Sequence, residues 1–87
     1  PEELCAAYPL TVLRLVVPER RNLRPLLEAC RFEECHAFGA AWHVAVRHED
    51  SARRILEEAL QGAGIEHYEL SRVPPSLEDV FIHREEW

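Results

Sequence analysis

The stretch 34-ECHAFGAAWHVAVR-47 decides the fold. "ECHAF" and "AWHVAVR" flank Gly39–Ala40, and two short β-prone runs around a two-residue Gly-Ala connection read as a hairpin. Glycine at the first turn position suits a type II′ turn. Across it, Trp42, Val44 and Val46 alternate with His43, Ala45 and Arg47, so one strand face is apolar and the other mixed. The turn also brings His36 opposite His43 on one face.

The elements on either side follow from apolar spacing. "TVLRLVV" at 11–17 is a β-branched strand ended by Pro18, with Leu13, Leu15 and Val17 on one side and Val12, Arg14 and Val16 on the other. "NLRPLLEACRF" from Asn22 reads as a helix with Asn22 as N-cap and Leu23, Leu26, Leu27 and Cys30 as its buried stripe; Pro25 falls harmlessly in the first turn. "EDSARRILEEALQGAG" is a second helix. Asp50 or Ser51 can cap it, Ala52, Ile55, Leu56, Ala59 and Leu60 form its apolar face, and Gly62 or Gly64 stops it. "EHYELSRV" at 66–73 is a fourth strand with Tyr68 and Leu70 on one side, and Pro74–Pro75 end it. "PEELCAAY" reads as a helical lead-in.

The order is β-α-β-β-α-β with an appended helix. It predicts an α+β, ferredoxin-like fold: a four-stranded antiparallel sheet with two helices on one face. The other face carries Val12, Val16, His36, Phe38 and His43. It is too apolar to stay wet, so the appended helix, the lead-in or a partner is expected to cover it.

The last fifteen residues, "VPPSLEDVFIHREEW", mark a helix start. Ser76 is the expected N-cap and Asp79, three residues on, completes a capping box; Glu78 and Asp79 sit at the positive helix end. Leu77, Val80 and Phe81 are expected to dock on the sheet. "PPSLEDVFIH" resembles the closing motif of the C-terminal domain on ATP-binding subunits of ABC transporters of the ABC-2 export type. The opening "PEEL" and the "ALQGAGIEHYEL" stretch agree, so the resemblance spans nearly the whole chain; "HREEW" departs from the usual apolar continuation. The resemblance implies an accessory or regulatory domain on the C-terminal side of an ATPase core. It implies the cytoplasmic side of the cell membrane, with the ATPase core, a second ATPase subunit and a permease as partners. Its interaction residues would be Pro75, Ser76, Leu77, Glu78, Asp79, Val80 and Phe81, or the open sheet face.

Composition sets outer bounds. The chain has 87 residues, 30% of them charged, and a formal net charge of −6, which argues against nucleic-acid binding and against an anionic membrane surface. It begins with Pro rather than Met, so it is expected to be part of a longer protein. Lysine is absent, so no phosphate loop of the G-x-x-x-x-G-K-[ST] type is possible. No cofactor is expected in this piece; ATP and Mg belong to the parent ATPase core, and no catalysis is expected here. Cys5, Cys30 and Cys35, an odd number, read as free thiols. The alternative is a small metal- or ligand-binding regulatory domain, with His36 and His43 as candidate metal ligands. The Cys30–Cys35–His36 spacing fits no recognised zinc pattern, and thiols plus surface histidines are the preferred reading. The Glu33–Glu34, Glu57–Glu58 and Glu85–Glu86 pairs read as solvated surface, as do Arg20–Arg21 and Arg53–Arg54, the last pair reaching Glu57 and Glu58 at i,i+4. Trp42 is expected in the core.

Overall fold

The computed structural model describes residues 8–19 and 22–85, with side chains as far as Phe81. The helical lead-in, Cys5, Arg20–Arg21, the Ile82 side chain and Trp87 lie outside that description.

Four strands and three helices follow the expected order: β1 (Thr11–Val16), α1 (Arg24–Cys30), β2 (Glu34–Phe38), β3 (Ala41–Val46), α2 (Glu49–Gly62), β4 (Glu69–Val73) and α3 (Leu77–Glu85). The sheet order is β2-β3-β1-β4, and each neighbouring pair is antiparallel. Each helix therefore links two strands separated by a third, which is the ferredoxin-like arrangement expected from the sequence.

One sheet face carries the main core. Leu13 and Leu15 of β1 and Val44 and Val46 of β3 pack with Leu23, Leu27, Ala52, Leu56, Leu60 and Ile65. Cys35, Trp42, Tyr68 and Leu70 are half-buried against them. Trp42 is thus a flank of the core rather than its centre, with the Arg24 guanidinium 5.1 Å from its ring centroid.

The helix ends differ from expectation in instructive ways. Helix α1 begins two residues after Asn22, with Leu23 at the N-cap position; Asn22 Oδ1 instead accepts from the Arg24 N–H at 3.2 Å. Its C-cap is Arg31, in the left-handed region at φ 57°. Helix α2 starts at Glu49 after an extended His48, earlier than a cap at Asp50 or Ser51 would give. The early start puts Glu49 and Asp50 in the positive first turn, and Glu49 takes Arg53 at 2.9 Å and Arg72 at 3.3 Å. Arg53 thus pairs backward with Glu49 rather than forward with Glu57, which accepts from the Tyr68 hydroxyl at 3.4 Å. Ile55, expected on the apolar face, is 46% exposed: the buried stripe is Ala52, Leu56 and Leu60.

Gly64 ends α2. At φ +77° it lets its own N–H reach the Gln61 carbonyl and the Ile65 N–H reach Leu60, a Schellman closure sealed by burial of Ile65 on the Leu60 side. The two left-handed stops yield opposite expectations. Gly64→Ala should cost about 1 kcal/mol, and Arg31→Gly should stabilise by about 0.5 kcal/mol, since a side chain is disfavoured in this region. Urea unfolding of both variants checks the signs.

Candidate functional site

The sheet face opposite α1 and α2 is covered by α3. The Gly39–Ala40 connection sets what α3 meets there. Gly39 has φ +58° and Ala40 does not share the left-handed region, as the expected II′ turn requires. The resulting register pairs His36 with His43 and Phe38 with Ala41. Arg14 of β1 stands next in the same cross-sheet row, opposite His43. The Phe38 ring stacks on His43 with centroids 4.2 Å apart.

Onto these histidines the first turn of α3 lowers Asp79, whose side chain is fully buried. The capping box is formed as expected. The Ser76 N–H donates to Asp79 Oδ2 at 2.7 Å, the Ser76 hydroxyl donates to the same oxygen at 2.9 Å, and the Asp79 N–H donates to Ser76 Oγ at 3.2 Å. The other carboxylate oxygen faces the sheet. Asp79 Oδ1 accepts from His36 Nε2 at 2.8 Å and from His43 Nδ1 at 3.1 Å. A carboxylate only accepts, so these contacts assign the ring protons: Nε2–H on His36 and Nδ1–H on His43. His36 Nδ1 is buried and has no partner among the described residues.

Burial pushes the Asp79 carboxyl up, but the Ser76 N–H, His36, His43 and the Ser76 hydroxyl outweigh it and hold the group below its ordinary value.

The sequence placed His36 opposite His43 and Asp79 in the capping box; the structure joins the two features into one cluster. Three expectations are corrected. Leu77 and Phe81, expected to dock beside Val80, are 40% and 54% exposed, and of the three only Val80 is buried. The two imidazoles draw Asp79 toward the sheet, and at helical spacing this turns Val80 inward and Leu77 and Phe81 outward. His43 is buried and His36 half-buried rather than at the surface, because α3 lies over them. Glu34, read as solvated, is buried, since it shares the covered face of β2 with His36. The signal available for the cluster was two polar side chains at paired positions of an otherwise apolar face, which demand a buried acceptor.

The thiols stand apart from it. Cys35 packs toward the main core, Cys30 and Cys35 are free, and burial raises both thiols above their ordinary range.

The covering helix is also the segment that carried the resemblance. A family model described as "ATP-binding protein DrrA1-3-like, C-terminal domain" matches residues 1–84. The chain belongs to this family. It is a C-terminal accessory domain of an ABC transporter ATPase. No curated protein and no solved structure matches the chain. Among the described residues of this DrrA1-3-like domain, no helix is long and apolar enough to cross a membrane.

The cluster predicts a graded response. Ser76→Ala should cost about 1 kcal/mol for the cap, whereas Asp79→Ala, which also strands two buried imidazole N–H groups, should cost about 2–4 kcal/mol. The pH sign follows from the lowered carboxyl: its contribution is complete above the unfolded-state value of about 4 and is lost as pH falls through the still lower folded-state value. The part of the stability gap between wild type and Asp79→Ala that comes from the carboxylate should therefore close as pH falls below about 4, as read by urea unfolding at each pH.

Proposed function

We propose that this domain is a non-catalytic regulatory element on the C-terminal side of the ATPase core of an ABC-2-type exporter. It works by contact, supporting or modulating the pairing of ATP-binding subunits. Its partners are the ATPase core in cis, a second ATPase subunit and the permease, at the cytoplasmic face of the cell membrane. ATP and Mg act in the core, and this piece neither binds nor hydrolyses nucleotide. Family membership supports the setting.

The observation that carries the contact surface is the two-sidedness of α3. Its inner side is pinned by Asp79 and Val80, while Leu77 and Phe81, four residues apart and so neighbours on the helix surface, turn 40% and 54% of their area outward. Pro75, Ser76 and Glu78 flank them, so the expected interaction segment divides: Ser76, Asp79 and Val80 fix the helix, and Leu77, Glu78 and Phe81 are offered to a partner. A partner that touches this surface differently in the open and closed ATPase dimer biases the cycle by that difference.

The test is Leu77→Asp with Phe81→Asp. In the isolated chain the pair should leave the fold intact while costing about 2–3 kcal/mol, because about half of each side chain is covered. In the complete transporter it should alter ATPase rate or subunit assembly, as should deletion of the domain. Unchanged rate and assembly in both cases, or nucleotide turnover by the pure isolated chain, would refute the reading.

A further inference from the structure

We propose that His36, His43 and Asp79 form a binding site for a divalent transition-metal ion of the zinc class, tying α3 to the β2–β3 hairpin. Two imidazoles and a carboxylate offer ligand atoms that all lie within 4.8 Å of one another. His36 Nε2 and His43 Nδ1 stand 2.8 and 3.1 Å from the same oxygen, Asp79 Oδ1. A tetrahedral ion bound at about 2.0–2.1 Å to each ligand separates neighbouring ligand atoms by about 3.3 Å. Both contacts are within about half an ångström of that spacing, and the third edge, between the two nitrogens, is at most 4.8 Å, so the ion is admitted when the imidazoles part slightly from the carboxylate and close toward each other.

The surroundings suit it. Asp79 Oδ2 is held by the Ser76 N–H and hydroxyl, which leaves Oδ1 turned toward the imidazoles; this is the outer-shell support that metal-ligating carboxylates need. The site is roofed by α3 and walled by Phe38 stacked on His43, so water has little access. The buried Glu34 lies two residues before His36 on the same strand face, and the nearby Arg14 is exposed, so the buried charge is acidic. In the hydrogen-bonded state, His36 spends its N–H on Asp79 and leaves Nδ1 without a partner among the described residues. Metal binding moves the ring protons to His36 Nδ1 and His43 Nε2 and frees the two lone pairs for the ion, with no net proton change. The N₂O donor set selects zinc, cobalt or nickel over calcium and magnesium, which want oxygen alone. Position 83, one turn beyond Asp79 in α3, is also a histidine.

This inference does not depend on the proposed contact surface. The experiment titrates chelator-treated chain with zinc, following thermal unfolding and the imidazole ¹⁵N resonances. One equivalent should bind, and the apparent Tm should rise by about 10–20 °C at a hundredfold excess of zinc over Kd. The His36 Nε2 and His43 Nδ1 resonances should move to metal-bound positions. The rise should be reversed by chelator, absent with magnesium, retained in C5S/C30S/C35S and lost in H36Q/H43Q. The idea fails if zinc leaves Tm and both imidazoles unchanged, if magnesium acts equally, or if the effect disappears with the three cysteines. The ¹⁵N readout is taken on wild type, so it decides the matter even if a histidine variant folds poorly.

Discussion

The buried carboxylate of Asp79 fixes how the last helix lies on the sheet. An ionised carboxylate removed from water is costly unless its lone pairs are met, and this one meets the Ser76 N–H and hydroxyl on one oxygen and His36 and His43 on the other. The arrangement competes with a rotated helix that would bury Leu77 and Phe81 instead. Fully covering such side chains is worth about 1.5–3 kcal/mol each, and roughly half of each is already covered, so the gain forgone is about 1–1.5 kcal/mol apiece. Rotation would leave the capping box intact, since Ser76 and Asp79 turn together, but it would strand two imidazole donors beneath the helix, at about 1–3 kcal/mol for each donor. Polar satisfaction therefore prevails over apolar burial.

That outcome depends on a turn remote from the helix. Gly39 in the left-handed region allows a two-residue connection, and the connection sets the pairing of His36 with His43. A slip of one residue along β2 would send its histidine to the core face and bring Cys35 beneath Asp79. The sequence of dependence runs from a backbone torsion, through strand register, to a polar triad and finally to the orientation of a helix in another part of the chain.

The strands and helices were legible in the sequence because their apolar periods are local: the alternation in 41–46, the stripe Ala52–Leu56–Leu60, and glycines where the backbone turns left-handed. The capping box was legible for the same reason, since Ser76 and Asp79 are three residues apart. The cluster was only half legible. Register gave His36 opposite His43, but their acceptor comes from a residue 43 positions beyond His36, and no local pattern announces that a capping aspartate also serves the sheet. The same gap explains the error over Leu77 and Phe81. Counting apolar residues on the helix assigns them inward, whereas a carboxylate that must reach down to the histidines turns the helix the other way. Arg31 shows a different limit: a left-handed arginine as a helix stop carries no residue signature of the kind that Gly64 provides.

The two sides of α3 are consequently coupled in any role the domain plays. Its inner side is held by the two imidazole hydrogen bonds to Asp79, which break together when the helix lifts, with Val80 buried beside them and about half of Leu77 and Phe81 covered. A partner seated on Leu77 and Phe81 thus acts on an element whose attachment is polar and short-ranged rather than broad and apolar. Such an attachment is close to all-or-none, because a carboxylate that leaves the sheet loses both imidazole donors and strands them at once. On the proposed reading this lets a subunit contact worth only a few kcal/mol shift the helix between two positions, which is the differential contact that modulation of an ATPase cycle requires.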